Sequence, residues 1–179
     1  MDQADHVALL RPGVPAGGGV WADLGAGSGA FTLALAELLG PGAGIVALAR
    51  DGEALAEAER RLAERFPGTR LAAHRHDFTD GLPVESGSLD GIVMANSLHF
   101  VRRKDPVLRA ILPAIRPGGR FLLVEYGADR GNPWVPWPLS FATWRTLAES
   151  VGLERTRLIG EVPSRFLGSI YSAASDVPG

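Results

Sequence analysis

The sequence predicts an α/β fold in which a doubly wound, largely parallel sheet is covered by helices on both faces. Short apolar runs alternate along the chain with longer segments whose apolar residues recur at helical spacing. The first strand-to-helix junction is rich in glycine, which is typical of doubly wound sheets that bind a ligand. With 179 residues, no internal repeat and no linker, the chain is predicted to form a single domain over 1–179.

The predicted elements are bounded by glycine, proline and capping residues. Gly40-Pro41-Gly42 ends the first apolar helix, Asp51 caps the next helix, and Pro67-Gly68 stops it. The predicted strands of the parallel part lie at about 19–24, 44–49, 70–74, 89–95 and 120–126. The predicted helices lie at about 29–39, 52–66, 102–115 and 140–151.

The ends of the chain depart from this alternation. Two β-like runs, 153–159 and 166–173, follow each other without a helix, which predicts an antiparallel hairpin over about 153–175. A loop rich in tryptophan and proline, 127–139, precedes the last helix. Residues 1–18 are predicted to be a short N-terminal segment.

Composition excludes several classes of protein. A formal net charge of −2 offers no basic surface for nucleic acid, and the absence of cysteine excludes disulfides and thiolate metal sites, so that no metal site is predicted. No apolar run approaches the roughly 18 residues needed to span a bilayer, and the polar start of the chain is not a signal peptide. We therefore expect a cytoplasmic protein whose partner is a small molecule, not nucleic acid or a membrane.

The junction between the first strand and the first helix, Val20 to Thr32, is the strongest functional signal. Its glycines allow main-chain amides to approach a nucleotide-like ligand. The spacing over 25–30 also fits the dinucleotide fingerprint G-x-G-x-x-A, so a nicotinamide enzyme stays open. However, Asp23 stands two residues before the first glycine, where dinucleotide folds generally have an apolar residue. A carboxylate there suits a cationic ligand group.

The string Asp23-Leu24-Gly25-Ala26-Gly27-Ser28-Gly29 resembles the first motif of class I S-adenosylmethionine (SAM) dependent methyltransferases, in particular small, single-domain, UbiE-like (type 11) members. The resemblance covers about 18–125, and its further marks are His76-Asp77-Phe78, Leu82-Pro83, Ser88-Leu89-Asp90, Ala95-Asn96-Ser97-Leu98-His99 and Leu112 to Gly119. It implies a three-layer Rossmann-like sheet of seven strands in the order 3-2-1-4-5-7-6, with the seventh antiparallel. It also implies SAM as cofactor and methyl transfer to a small-molecule acceptor that the sequence does not identify.

The same resemblance assigns a cofactor site at the carboxyl ends of the strands. It implies that Asp77 accepts from the adenine amino group, that Phe78 contacts the base, and that Asn96 lies beside the methionine part. A local cap for Asp77 and a satisfied amide for Asn96 stay open as alternatives. The cofactor-binding residues implied in this way are Asp23, Gly25, Ala26, Gly27, Ser28, Gly29, Ala49, Arg50, Asp77, Phe78 and Asn96.

One departure from the family concerns the ribose. Family members usually end the second strand with an acid that holds both ribose hydroxyls, but Ala49 stands at that place. Asp51 could reach the ribose or cap a helix, and Arg50 could lie along the adenine or ribose, or in solvent. Losing this hydrogen-bond pair would weaken cofactor binding roughly 10- to 100-fold. The first alternative function is therefore a non-catalytic SAM- or nucleoside-binding protein, and the second an NAD(P)-dependent oxidoreductase.

The sequence gives the weakest indications for the site that binds the methyl acceptor. His99 is the predicted base for a hydroxyl or amine acceptor, with packing in the pocket wall as the alternative. The segment before the first strand is too short for the helical cap of many small-molecule methyltransferases, so the site is open, completed in a homodimer, or closed by 5–11 and the tryptophan loop. Arg165 could meet an anionic acceptor or be an exposed charge. The predicted acceptor-binding residues are Ser97, Glu125, Tyr126, Trp134 and Trp137.

Overall fold

A seven-stranded sheet forms the middle layer of the protein, as seen in a computed structural model that describes residues 1–164 and 166–179. Its strands are β1 Val20–Leu24, β2 Gly44–Ala49, β3 Arg70–Arg75, β4 Leu89–Ala95, β5 Ile115–Tyr126, β6 Glu154–Pro163 and β7 Ser169–Asp176. The helices are α1 Gln3–Leu10, α2 Ala30–Leu39, α3 Gly52–Arg65, α4 Lys104–Ile111 and α5 Phe141–Ser150. In the described part of the chain, no helix combines the length and the apolar character needed to cross a membrane.

The order of the strands in the sheet is β3-β2-β1-β4-β5-β7-β6. Strands β1 to β5 pair in parallel, and β7 runs antiparallel to both β5 and β6. This confirms the predicted fold class and the terminal hairpin. Because β1 and β4 are neighbours although they are not consecutive in sequence, the strand order reverses between them. In such sheets a crevice opens at that point beyond the carboxyl ends of the strands.

Apolar side chains fill the space on both faces of the sheet. Along β5, the side chains of Phe121 and Leu123 belong to the core under α4 and α5, whereas those of Leu122 and Val124 belong to the core under α1 and α2. This period of two follows from the pleat of a strand, and burial on both faces explains the nearly continuous apolar run. Trp144 of α5 is fully buried, and its ring centroid lies 5.4 Å from that of Phe121.

Helix α1 lies in the segment where the sequence predicts no regular element. Its start is fixed by a reciprocal cap, because Asp5 N donates to Asp2 Oδ1 and Asp2 N donates to Asp5 Oδ2, both at 3.0 Å. Its buried side chains, Val7, Leu9 and Leu10, pack with those of α2. The prediction missed α1 because these apolar residues do not repeat clearly at helical spacing, although the pair of aspartates was a usable capping signal.

The boundary between α4 and β5 also differs from the prediction. The helix was expected to run to Ile115, but α4 ends at Ile111 and a 3-10 turn, Leu112–Ala114, follows it. Proline at 113 lacks the amide hydrogen that a continuing α-helix needs. Strand β5 then starts at Ile115, and its pairing with β4 shifts register before Arg120. After that shift, residues Arg120 to Val124 pair with β4, and these residues lie within the predicted strand at about 120–126.

Candidate cofactor and acceptor site

A cleft of about 310 Å³ opens at the carboxyl ends of β1, β2 and β4, where the strand order reverses. It brings together most of the residues predicted to bind a cofactor, although they come from four separate stretches of sequence. The side chains or main chain of the following residues line it: Gly25, Gly27, Leu48, Ala49, Arg50, Asp51, His76, Asp77, Phe78, Thr79, Asn96, Ser97, Phe100 and Val101. Asp23, Ala26, Ser28 and Gly29 do not line the cleft but hold its floor, as described below.

The glycine turn needs glycine for two different reasons. A Cβ on Gly25 would collide with the Cβ of Ser97, so this position keeps the turn close to the end of β4. Gly27 has a φ of +51°, and a Cβ there would meet nothing within 4 Å. Gly27 thus keeps the wall of the cleft open to a ligand, and a side chain would both strain the turn and fill that space.

The other residues of the turn attach it to α3. A Cβ on Gly29 would lie 2.7 Å from the Cβ of Ala58, and Ala26 packs with Leu55. The carbonyl oxygen of Ser28 accepts a hydrogen bond of 2.9 Å from Arg61 Nη1. These three predicted cofactor residues therefore position the turn and do not form the surface of the cleft.

Asp23 is buried directly before the turn, with 1% of its surface exposed. Thr32 Oγ1, from the first turn of α2, donates to Asp23 Oδ2 at 2.6 Å. Burial raises the pKa of Asp23 to about 6, although the hydrogen bonds from Thr32 act in the opposite direction. A cationic group bound near the turn would stabilise the ionised carboxylate. The sequence alone did not reveal Thr32 as the partner of this acid.

The side of the cleft predicted to bind adenine is formed by Asp77, Phe78 and Thr79. Asp77 Oδ1 accepts from Thr79 N at 3.0 Å and from Thr79 Oγ1 at 2.8 Å, and so caps the 3-10 helix Phe78–Asp80. Asp77 Oδ2 lies 3.7 Å from Arg50 Nη1. Burial acts to raise the pKa of Asp77, but the Thr79 hydrogen bonds and the charge of Arg50 together hold it below its usual range. The local cap therefore uses one oxygen and leaves the other near the cleft.

The corner predicted for the ribose carries a methyl group and no strand-end acid. Ala49 is the last residue of β2, and its side chain is buried in the wall of the cleft. Asp51 Oδ1 accepts from Glu53 N at 2.9 Å and from Ala54 N at 3.2 Å, which makes Asp51 the N-cap of α3. The side chain of Arg50, between them, is 74% exposed.

The end of β4 supplies an unsatisfied polar atom. Asn96 adopts a left-handed φ of +51°, and its main-chain N donates to Val124 O at 2.8 Å. Among the described residues, its buried Oδ1 has no hydrogen-bond partner. A buried acceptor of this kind in the wall of a cleft can receive a hydrogen bond from a bound ligand or from water. Ser97 differs, since its Oγ donates to Leu24 O at 2.7 Å and ties β4 to β1. Ser97 also lines the cleft, and its contact with an acceptor stays a prediction.

His99 and Glu125 form a buried pair away from the lining of the cleft. His99 Nδ1 lies 2.8 Å from Glu125 Oε2, and His99 N donates to Glu125 Oε1 at 2.9 Å. Glu125 is fully buried and His99 is 3% exposed. Both carboxylate oxygens of Glu125 hold His99, and a contact of Glu125 with an acceptor stays a prediction. The ring of Tyr126 packs edge-on against that of His99, with centroids 5.6 Å apart.

The tryptophan loop lies over this pair. Trp137 N donates to His99 O at 3.0 Å, and Lys104 Nζ donates to Trp137 O at 2.7 Å. Trp134 and Trp137 are exposed and neither lines the cleft, and their contact with an acceptor stays a prediction. Phe100, which the sequence did not single out, is exposed at the cleft. Arg165, the remaining acceptor candidate, lies outside the described residues.

These features define a class of protein. The doubly wound sheet with a reversed seventh strand, the glycine turn after β1 and the cleft at the β1/β4 switch point are those of a Rossmann-like methyltransferase domain. The chain belongs to the methyltransferase-domain family, whose model matches residues 17–153, and its sequence is similar to UbiE-type methyltransferases, as predicted.

Two curated relatives and one solved structure illustrate this membership. The chain is 34% identical over 114 residues to the arsenite methyltransferase of Aquipseudomonas alcaligenes, a match that covers 60% of this chain and 33% of that protein. It is 30% identical over 125 residues to the ubiquinone/menaquinone biosynthesis C-methyltransferase UbiE of Hahella chejuensis, covering 70% and 49%. A crystal structure of a SAM-dependent methyltransferase from Aquifex aeolicus superimposes with a TM-score of 0.74 at 17% identity, over 97% and 89% of the two chains. The chain spans about one third to one half of the length of these curated relatives.

Proposed function

We propose that the protein transfers a methyl group from SAM to a small-molecule acceptor. The observation that carries this proposal is the orphaned Oδ1 of Asn96 in a cleft that the glycine turn also lines. Such a cleft fits a ligand that joins a nucleoside to an amino acid, because it offers an acceptor for an ammonium group beside main-chain amides. Membership of the methyltransferase-domain family supports the same ligand.

Different residues of the cleft would bind different parts of the ligand. The open face at Gly27 and the Asn96 amide would hold the amino acid end, and the negative charge of Asp23 would favour its ammonium group. Asp77 and Phe78 would hold the base. When bound, the cofactor supplies a methyl group that its sulfonium already activates, so the chain needs chiefly to align an acceptor with it.

A hydroxyl or amine acceptor must also lose a proton, and we assign that task to His99. Glu125 holds Nδ1 and the main-chain N of His99, which leaves Nε2 to take a proton. His99 immediately precedes Phe100, which is exposed at the cleft, and this places the proposed base next to the cleft in sequence. Glu125 acts here as a positioning residue and does not touch the acceptor.

A ligand-dependent unfolding experiment tests the cofactor. SAM and S-adenosylhomocysteine (SAH) should raise the melting temperature, whereas NAD and NADP should not, because a ligand at 100 times its Kd stabilises the native state by about 2.7 kcal/mol. Gly27→Val is the matched loss-of-binding variant, since the new side chain would occupy open space at the cleft. A shift with NADP alone would instead favour the oxidoreductase.

A non-catalytic binding protein is the second candidate, because Ala49 replaces the ribose acid and His99 is buried. It predicts SAH binding with no turnover. Screening small hydroxyl, amine and thiol acceptors with labelled SAM separates the two, since label transfer that Gly27→Val abolishes requires an enzyme. Static light scattering on the same sample tests whether the chain forms a homodimer, one of the alternatives left open by the sequence.

A further inference from the structure

The corner of the cleft beside β2 differs from an ordinary ribose-binding corner in its charge. A ribose is usually held by a carboxylate at the end of the second strand, which reads both hydroxyls. Here the strand ends in Ala49, whose methyl group neither accepts a hydrogen bond nor carries charge. The nearest carboxylate in sequence, Asp51, is engaged by two main-chain N–H groups at the start of α3. The hydroxyl-reading group is thus absent from its place.

The side chain of Arg50 carries a positive charge next to Ala49, where a ribose-binding acid would otherwise be. Arg50 lines the cleft, and its contact with Asp77 is long, at 3.7 Å between Nη1 and Oδ2, with side chains 74% and 30% exposed. Such exposed pairs hold a side chain weakly, so Arg50 is free to turn toward another anion. Arg75 supports this arrangement from β3, since its Nε donates to Arg50 O at 3.2 Å and fixes the main chain at that residue.

We propose that Arg50 makes this corner an anion-accepting subsite, so that the cleft binds adenosine ligands with a phosphate on the 2′ or 3′ oxygen. The inference rests on the proposed adenosyl cofactor site and names a specificity within it. The planar guanidinium matches phosphate with paired, charge-assisted hydrogen bonds. In doubly wound sheets in general, an acid near the second strand selects a free ribose hydroxyl, whereas an arginine there accommodates a 2′-phosphate.

The neighbouring charges set the conditions for this subsite. The charged groups at this corner are Arg50, Asp51 and Asp77, which line the cleft, and Arg75, which contacts the main chain of Arg50. Each carboxylate has one oxygen fixed by local N–H or O–H donors, Asp51 by the start of α3 and Asp77 by Thr79. A base bound to Asp77 would compete with Arg50 for Oδ2, since Oδ1 is already held by Thr79. The subsite therefore depends on Arg50 and on the absence of an acid at 49.

Isothermal titration calorimetry measures the preference directly. We expect the wild-type protein to bind adenosine 2′- or 3′-monophosphate at least threefold more tightly than adenosine, and 2′-deoxyadenosine within threefold of adenosine. Arg50→Ala should weaken the better of the two monophosphates at least tenfold and adenosine less than threefold. SAH is titrated into every variant, so that loss of the whole site is distinguished from loss of the subsite.

Variants at the neighbouring positions make the test two-sided. Ala49→Asp should supply a carboxylate that hydrogen-bonds to the ribose hydroxyls. SAH should then bind at least tenfold more tightly, and the monophosphates should no longer bind more tightly than adenosine. Ala49→Asn has a side chain of similar size but no charge. It should therefore not lower the affinity for the monophosphates relative to adenosine as Ala49→Asp does. Asp51→Asn keeps the helix cap and should leave adenosine binding within threefold.

Three outcomes would overturn the inference. The monophosphates could bind more weakly than adenosine to the wild-type protein, Arg50→Ala could leave their affinity unchanged, or Asp51→Asn could abolish a strong dependence on the ribose hydroxyls. In each of these cases SAH still binds, and the proposed cofactor site stands. If SAH itself does not bind to the folded wild-type protein, the proposed function fails, and the subsite fails with it.

Discussion

Asp23 and His99 show how burial changes what a polar side chain does. Asp23 was predicted to hold a cationic ligand group, and it lies under the glycine turn with Thr32 as its hydrogen-bond partner. His99 was predicted as a base, and it is tied to Glu125 beneath the tryptophan loop. In both cases the residue type was evident from the sequence, but the partner that sets its properties comes from another element.

The pKa of Asp23 gives a prediction for stability. Because that pKa is about 6 in the folded protein, against 3.8 ordinarily, the native state binds more protons than the unfolded state between these values. The stability contributed by the protonated group is therefore complete below about pH 3.8 and is lost as the pH rises to about 6. Asp23→Asn should be more stable than wild type by roughly 1–3 kcal/mol at pH 7.5, with a smaller difference at pH 4.

Urea unfolding of the ligand-free protein at several pH values measures this difference. Thr32→Val is a useful comparison, since removing the hydroxyl leaves the carboxylate without its 2.6 Å donor and should destabilise the protein most at high pH. A constant difference between wild type and Asp23→Asn across this pH range would contradict the raised pKa.

His99 gives a prediction for turnover. His99→Gln should lower kcat roughly 100- to 10,000-fold with an acceptor that must be deprotonated, while the Kd for SAH stays within threefold, because His99 does not line the cleft. Calorimetry and initial rates with the acceptor from the screen measure the two effects. An unchanged kcat together with a lower melting temperature would assign His99 to packing alone.

The helices and turns position the cleft through their ends. Helix α3 starts at the Asp51 cap, which fixes Arg50 and the end of β2, and its Ala58 leaves room for the turn at Gly29. The 3-10 helix after β3 begins at Asp77 in the same way. Capping signals predicted the start of α3 correctly. The 3-10 turns near 78–80 and 98–100 had no such periodic signal, because three residues are too few to show one.

The Asp51 cap can be tested without reference to any ligand. Asp51→Ala should destabilise the protein by about 1 kcal/mol, since two N–H donors at the start of α3 lose their acceptor. Asp51→Asn should be nearly neutral, because asparagine caps equally well. Chemical denaturation of the three proteins measures the order. Equal losses for both variants would show that the negative charge, not the cap, matters here.

The terminal hairpin is held to the rest of the sheet by a charge cluster as well as by strand pairing. Asp176, on β7, receives Arg120 Nε of β5 at 2.8 Å and Arg155 Nε of β6 at 3.0 Å, and Arg157 Nη1 lies 3.3 Å away. One carboxylate thus joins the two strands of the hairpin to β5, which is distant in sequence. Partial burial acts to raise the pKa of Asp176, but these arginines hold it below its ordinary value.

Loss of this carboxylate should affect the whole protein, because β5 and β7 are central to both cores. Asp176→Asn should lower the free energy of unfolding by roughly 1–3 kcal/mol near neutral pH, a range reduced for the exposure of Arg155 and Arg157. The depressed pKa means that this stability is present above the ordinary pKa and is lost as the pH falls below it. The unfolding transitions followed by far-ultraviolet circular dichroism and by tryptophan fluorescence should have the same midpoint. A separate early transition would mean that the hairpin unfolds by itself.

The sequence by itself determined the fold class, the order of most elements and the segments that form the cleft. The signals used for this are local. Periodicity in strands and helices, glycine at turns and caps at helix starts each depend on a few neighbouring residues. The resemblance to class I methyltransferases then implied one site for Gly27, Asp77 and Asn96, and all three line the cleft.

Only the tertiary structure decided which polar atoms are free and which are occupied. Glu125 pairs with His99, Ser97 with Leu24 and Asp51 with its own helix, whereas the amide oxygen of Asn96 is left without a partner among the described residues. These outcomes depend on contacts between elements that are far apart in sequence, and burial then fixes the energetic consequence of each contact. No local pattern encodes them, because the same side chain serves as ligand or as scaffold according to what packs against it.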